Sequence, residues 1–213
     1  MITDANTLPP NQTIETDLLI IGAGPAGITI AQKFAGTDIR VVLLESGGES
    51  YDYDAQDLNR GTITGTHAEP LDASRLRLLG GTSNHWAGWC RPLEREDFEV
   101  REDWPESGWP ISRDDLTPYY DKATELCQLP RKTFDDIKYW QSQLGGSHLT
   151  KLSLNDSRLL TSIFQISPPT RFGETYRKDL EQATNITLLL NATALELLKS
   201  DDSSINSSLK KIY

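Results

Sequence analysis

The feature that most constrains the fold is a short apolar run that ends in closely spaced glycines: Leu18-Leu19-Ile20-Ile21, then Gly22-Ala23-Gly24-Pro25-Ala26-Gly27. An unbroken apolar run after the single acid Asp17 is the pattern of a strand buried on both faces, as parallel sheets require. From Pro25 to about Ala35 the apolar positions Ile28, Ala31 and Phe34 recur at helical spacing. Arg40-Val41-Val42-Leu43-Leu44-Glu45 then repeats the buried-strand pattern. Strand, helix and strand within about 30 residues make a βαβ unit, which implies a crossover connection and a parallel sheet.

The glycines follow G-x-G-x-x-G, and each has a mechanical job. Gly22 permits the tight turn, Gly24 lets a pyrophosphate approach the backbone, and Gly27 lets helix and strand pack closely. The helix start behind them offers free N–H groups and the positive end of its dipole to phosphates. Glu45 lies 18 residues beyond Gly27 and ends the next strand, where an acid can accept hydrogen bonds from an adenosine ribose. A carboxylate there, rather than an arginine, argues against a 2′-phosphate and so against NADP. Separating FAD from NAD needs more than this unit.

Composition narrows the partners. The chain of 213 residues is 37% hydrophobic and 24% charged, ordinary for a globular protein, and carries a net charge of −10. A surface that acidic repels phosphate backbones, so nucleic acid is not expected as a partner. Cys90 and Cys127 form no disulfide framework and are expected as small packing residues. The longest charge-free stretch near the start, Leu18 to Ala31, is too short and too broken by glycine and proline for a membrane span. No basic segment followed by an apolar run opens the chain, so the expected location is cytoplasmic. No metal-ligand spacing is present, and His67 and His148 read as surface or loop residues.

Further along, 1–16 reads as a flexible polar tail and 46–75 shows no clear period, with the acidic cluster from Tyr51 to Asp57 expected as a solvated loop. Leu116, Tyr119, Tyr120, Ala123 and Leu126 give a helix over 114–127, with Ser112 and Asp115 available as caps. Thr175 to Ala183 reads as helical. Ile186 to Leu198 reads as one extended apolar stretch with which Leu209 to Tyr213 can pair across a polar loop.

A second cluster is dense in special residues: Arg77-Leu-Leu-Gly80-Gly81-Thr-Ser83-Asn84-His85-Trp86-Ala87-Gly88-Trp89-Cys90-Arg91-Pro92. Gly80 and Gly81 allow close backbone approach to a flat or phosphorylated ligand. Trp86 and Trp89 can flank a planar ring, or simply be buried in a loop.

At these residues the chain resembles the glucose–methanol–choline flavin oxidoreductases. The resemblance is carried by Asp17 to Ala31, by Val41 to Gly48, by Arg77 to Pro92, by Gly108-Trp-Pro-Ile-Ser with Leu116, Pro118, Tyr119 and Tyr120, and by Asn185 to Leu197. The His-Trp-Ala-Gly run is most similar to bacterial sugar and polyol dehydrogenases within that family. The resemblance implies FAD as the cofactor, bound by a Rossmann-like α/β domain with a parallel sheet, incomplete here, followed by the start of a cap or substrate region. It divides the chain into a tail (1–16), the first part of the FAD domain (17–100), a cap segment (101–170) and a continuation of the FAD domain (171–213).

By the same resemblance Gly22, Gly24, Pro25, Ala26 and Gly27 hold the pyrophosphate, Glu45 and Ser46 meet the adenosine ribose, and Ala194 meets the adenine through its backbone. Arg77, Gly80, Gly81, Ser83, Asn84, Ala87 and Gly88 line the diphosphate, ribityl chain and flavin ring. His85 stands where some relatives attach the flavin through a histidyl bond and others hold it without one. A covalent link, a contact near the ring and a structural role all stay open at this point. The implied reaction oxidises CH–OH groups of alcohols or sugars by hydride transfer to flavin.

The family's catalytic histidine lies far downstream of the motifs matched here, and the three histidines of this chain all fall within them or between them. No catalytic residue is therefore assigned, and the chain alone is expected to be inactive. The expectation is the FAD-binding N-terminal portion of an alcohol or sugar oxidoreductase. The alternative is a truncated, non-catalytic nucleotide-binding remnant that needs a complementing polypeptide or does not fold stably alone.

Overall fold

The computed structural model describes residues 1–65, 69–130, 133–143, 159, 161–199 and 209–211. His67, His148 and the expected polar loop at 200–208 lie outside the described residues. The chain divides into two compact units, Met1–His85 with Arg171–Tyr213, and Trp86–Thr170. The strands in chain order are β1 (Ile2–Asp4), β2 (Leu18–Ile21), β3 (Val41–Leu44), β4 (Trp89–Cys90), β5 (Gln165–Ile166), β6 (Ile186–Leu190), β7 (Leu198–Lys199) and β8 (Leu209–Lys211). The helices are α1 (Pro25–Phe34), α2 (Tyr53–Asp57), α3 (Leu71–Ser74), α4 (Arg113–Leu126), α5 (Ile137–Gln143), α6 (Phe172–Thr175) and α7 (Arg177–Gln182).

The first unit is built on a four-stranded parallel sheet in the order β1-β6-β3-β2. Leu43 of β3 faces Ile20 on one side and Leu188 on the other, so the four residues of β3 are buried, as their unbroken apolar run predicts. Alternation along the strands sends Val42, Leu44 and Leu189 to one face, where Leu8, Leu19, Ala192 and Ala194 pack against them. The opposite face carries Val41, Leu43, Ile186 and Leu188. There α1 packs on β2 and β3, and α7 packs on β6, with Ile28, Ala31 and Leu180 buried.

Four sequence expectations differ from the structure. Within 1–16, the segment read as a flexible tail, residues 2–4 form the edge strand β1, and the Met1 amino group donates to Ile186 O at 2.7 Å. Backbone pairing holds this strand, whose side chains are only partly buried, so composition gave no sign of it. Within the stretch read as a solvated loop, Asp52 caps α2 by accepting from the Ala55 N–H at 2.8 Å. The extended run from Ile186 to Leu198 stops at Leu190, because Asn191 turns with φ +56°. Of the stretch Thr175–Ala183 read as one helix, Thr175 closes α6, Tyr176 interrupts it and α7 covers only Arg177–Gln182. Leu198 pairs with Lys211 in the antiparallel β7–β8 ribbon.

In the second unit β4 and β5 form an antiparallel pair in which Trp89 faces Ile166. The helix α4 opens on a capping box, with Ser112 Oγ accepting from the Asp115 N–H and the Asp115 carboxylate accepting from the Ser112 N–H. Arg91, its side chain 11% exposed, pairs with Glu94 and Asp135 and donates to Ile163 O. That guanidinium therefore ties together three segments distant in sequence.

Candidate nucleotide-binding site

At the end of β2 the chain turns through Gly22, whose φ of +98° is open to glycine and strained for other residues. Its N–H donates to Leu44 O at 2.7 Å, so the turn is bonded to the neighbouring strand end. Gly24 is the N-cap of α1 and Pro25 occupies the first helical position, where a missing N–H costs nothing. A Cβ on Gly24 would meet no atom within 4 Å, whereas one on Gly27 would stand 1.9 Å from the Gly22 carbonyl oxygen. The two glycines thus differ: Gly27 is required by packing, and Gly24 leaves its backbone open to whatever approaches. Pro25 and Ala26 are exposed in the first turn of α1.

Glu45, one residue past β3, is 5% exposed. Its Oε2 accepts from the Ala23 N–H at 2.9 Å and its Oε1 from the Gly47 N–H at 3.0 Å. Burial pushes the carboxyl pKa above its ordinary value, opposed by those two N–H groups and by the nearby Arg77. Ser46 Oγ accepts from Arg77 Nη1 at 2.8 Å.

The Gly80–Gly81 pair lies against the same turn. The Gly80 N–H donates to Ala23 O at 2.8 Å, and a Cβ on Gly81 would stand 3.1 Å from Gly24 Cα. Both residues have positive φ, +91° and +53°. Ser83 Oγ donates to Gly80 O at 2.6 Å, and the Asn84 amide donates to Leu79 O and Gly81 O at 2.9 and 2.8 Å. These side chains therefore shape the loop, and His85 follows them, exposed, at the end of this segment of the first unit. Ala194 is half-buried beyond β6 among Val42, Leu44 and Leu189. Of the sequence-assigned residues, Gly22 to Gly27, Glu45, Ser46, Arg77, Gly80, Gly81, Ser83, Asn84, His85 and Ala194 belong to the first unit, and Ala87 and Gly88 to the second. Gly88, with φ +77°, accepts from the Ser167 N–H at 2.7 Å. Trp86 donates its indole N–H to Thr170 O at 3.0 Å, and Trp89 is exposed. Cys90 and Cys127 are half-buried thiols, raised by burial, Cys127 to about 11.

Two contributions escaped the sequence reading. Arg171 donates to Ser83 O at 2.6 Å, the Phe172 N–H donates to Ser83 Oγ, and a Cβ on Gly173 would stand 2.4 Å from Leu79 O. The segment 171–173 thus buttresses the Gly80–Gly81 loop from behind. Gln56 and Asn59 hold the chain just before that loop, at residues 72, 75 and 77. Among the described residues, no group of three or more His, Cys, Asp or Glu side chains has a metal-holding arrangement. No helix among them is long and apolar enough to cross a membrane.

No family model matches the chain. A 2-methyl-1,2-propanediol dehydrogenase of Mycolicibacterium austroafricanum is 28% identical over 133 residues, covering 51% of this chain and 23% of that protein. Among solved structures, pyridoxine 4-oxidase from Mesorbium loti aligns with TM-score 0.46 and 19% identity, over 93% of this chain and 45% of that one. A formate oxidase aligns with TM-score 0.46 and 17% identity, over 87% of this chain and 40% of that one. The chain spans less than half the length of these relatives. On its motifs this chain resembles the glucose–methanol–choline oxidoreductases, and its first unit is a Rossmann-like parallel α/β domain.

Proposed function

We propose that this chain is the FAD-binding portion of an oxidoreductase that acts on CH–OH groups of alcohols or sugars. The observation that carries the reading is the convergence of the open Gly24 backbone, the start of α1, the Glu45 carboxylate and the Gly80–Gly81 loop on one strand end. The residues fit the cofactor. Gly22 and Gly24 leave backbone free for a pyrophosphate at a helix start. Glu45 accepts from the Ala23 and Gly47 N–H groups and from the Ser46 side chain, and an ionised carboxylate has about four acceptor sites, so acceptor capacity remains for a ribose hydroxyl. Ser46 and Arg77 stand beside it, Ala194 offers backbone to the adenine, and Ser83 and Asn84 hold the loop that faces the diphosphate. Ala87 and Gly88 are assigned on the family resemblance alone. FAD, when bound, supplies the hydride acceptor; this chain's residues bind and orient it, and none is assigned as the proton acceptor. The name of the curated relative, a diol dehydrogenase, supports alcohol oxidation as the reaction class.

The test is to purify the 213-residue chain with FAD and record its visible spectrum after desalting. Retained flavin absorbance supports the reading, and a colourless folded protein overturns it. The His85 link is tested by flavin fluorescence on a denaturing gel: a band in the wild type that disappears in His85→Ala supports attachment there. A band that survives in the variant rules it out.

A second reading, nucleotide binding only together with a complementing polypeptide, is favoured by β2. Its outer edge pairs with no strand among the described residues, and Ile21 is 53% exposed. A chain that is colourless and binds the dye ANS alone, yet retains flavin when a partner is supplied, supports this second reading.

A further inference from the structure

We infer that Gln56, on the short helix α2, is a positioning residue of the nucleotide site, holding Arg77 against Ser46 beside Glu45. The inference rests on the nucleotide-binding reading above and extends it to a segment with no motif of its own.

Gln56 is 3% exposed in a stretch whose neighbours are acidic and solvated. A buried amide is retained only where its polar atoms are satisfied, and here the partners are all backbone groups of α3 and the residues just after it. Its Nε2 donates to Asp72 O at 2.7 Å and to Arg75 O at 2.5 Å, and its Oε1 accepts from the Arg77 N–H at 3.1 Å. Both donors and the acceptor are engaged by residues 16 to 21 positions away. Asn59, just beyond α2, adds a second hold: its Oδ1 accepts from Arg77 Nε at 2.7 Å and its Nδ2 donates to Arg75 O at 3.3 Å.

Arg77 is thereby fixed by its backbone N–H, its Nε and, through Ser46, its Nη1. The chain around it is just as confined. A Cβ on Gly47 would stand 2.0 Å from Arg77 O, the Leu79 N–H donates to Gly48 O at 3.0 Å, and the Gly80 N–H donates to Ala23 O. A shift of 75–77 therefore moves the guanidinium relative to Ser46 and Glu45. Fixing an arginine in advance lowers the ordering cost of using it on an anionic ligand.

The experiment is a double-mutant cycle on the full 213-residue chain, read as FAD affinity by quenching of flavin fluorescence. The four proteins are wild type, Gln56→Leu, Arg77→Met and the double variant. If Gln56 acts through Arg77, Gln56→Leu weakens FAD binding roughly tenfold with Arg77 present and by less than about twofold in the Arg77→Met background, a coupling within the usual range for one hydrogen-bond network. An equal loss in both backgrounds reports general support of the fold and overturns the inference, as does unchanged affinity. Wild type that binds no FAD overturns the nucleotide-binding reading and this inference with it; normal wild-type binding without the coupling overturns this inference alone. Should Gln56→Leu lose its far-UV circular dichroism, Asn59→Ala replaces it in the cycle. That change removes the acceptor for Arg77 Nε from a half-buried site, with the same coupling expected.

Discussion

The Ala23 N–H donates to Glu45 Oε2 at 2.9 Å, joining the turn after the first strand of the βαβ unit to the residue that ends the second. The same carboxylate accepts from Gly47. A residue proposed for ligand recognition is therefore also a brace of the fold, and the two roles respond differently to substitution.

Glu45→Gln separates them. Burial raises the Glu45 pKa above its ordinary 4.5. A carboxyl with a raised folded-state pKa binds its proton more tightly when folded, so its contribution is fully present below the unfolded pKa and is lost as pH rises through the folded one. Glutamine does not titrate, and its NH2 cannot accept, so either the Ala23 or the Gly47 N–H loses its partner. The variant is expected to be less stable than wild type in urea unfolding near pH 4, with the deficit narrowing by pH 7, while FAD affinity falls through loss of an acceptor. A deficit that widens toward pH 7 would show that the fold favours the ionised carboxylate.

Gly24 and Gly27 make a contrasting pair. Gly27→Ala forces a Cβ to 1.9 Å from a backbone oxygen, which only a backbone shift relieves. Overpacking of that kind costs about 3 kcal/mol, a fall of roughly 6–12 °C in Tm for a chain of this size. Gly24→Ala places its Cβ in open space at φ −80° and is expected to cost under about 1 kcal/mol, the scale of an N-cap change. Its effect should instead be on FAD uptake. Calorimetry and flavin titration of both variants check the inversion.

The contrast also marks what could be read from the residues alone. The strand, turn and helix around Gly22–Gly27 are local: the apolar run, the glycine spacing and Pro25 specify them within 20 residues, and β3 follows by the same rule. Gln56 is different in kind. Nothing in Tyr53–Asp57 announces burial, because the carbonyls that satisfy Gln56 belong to residues 72 and 75 and reach it only when the chain folds. Gly173 is glycine because of Leu79 O, 94 positions earlier. In β1 the stabilisation is backbone pairing to β6, to which side-chain pattern is nearly blind.

In the second unit the helix start is the testable local feature. Ser112 and Asp115 form a reciprocal capping box at α4, and the Ser112 N–H and hydroxyl hold the Asp115 carboxyl below its usual range. Ser112→Ala is expected to cost about 1 kcal/mol, read as a lower denaturant midpoint with an unchanged m-value. Ser112→Thr, which retains the hydroxyl as both capping acceptor and donor to Asp115, should recover most of the loss.

Asp17 and Arg40 bracket the paired strands β2 and β3. Asp17 Oδ2 accepts from the Arg40 N–H at 2.9 Å and from Nε at 3.0 Å, and Oδ1 accepts from Nη2 at 2.8 Å. The guanidinium and the backbone N–H hold the Asp17 pKa down to about 2. A depressed folded-state pKa contributes stability that is present above the ordinary 3.8 and lost as pH falls through the folded value. Asp17→Asn should therefore lower stability at pH 7, and its difference from wild type should narrow as the medium is acidified below pH 4. Because the pair is exposed, salt near 1 M should also shrink the difference. The bond from the Arg40 backbone N–H is kept in both proteins, since asparagine offers an acceptor there, and adds nothing to the difference. Urea unfolding of both proteins over pH and salt measures each component, and a difference indifferent to both would rule out the ion pair as its source.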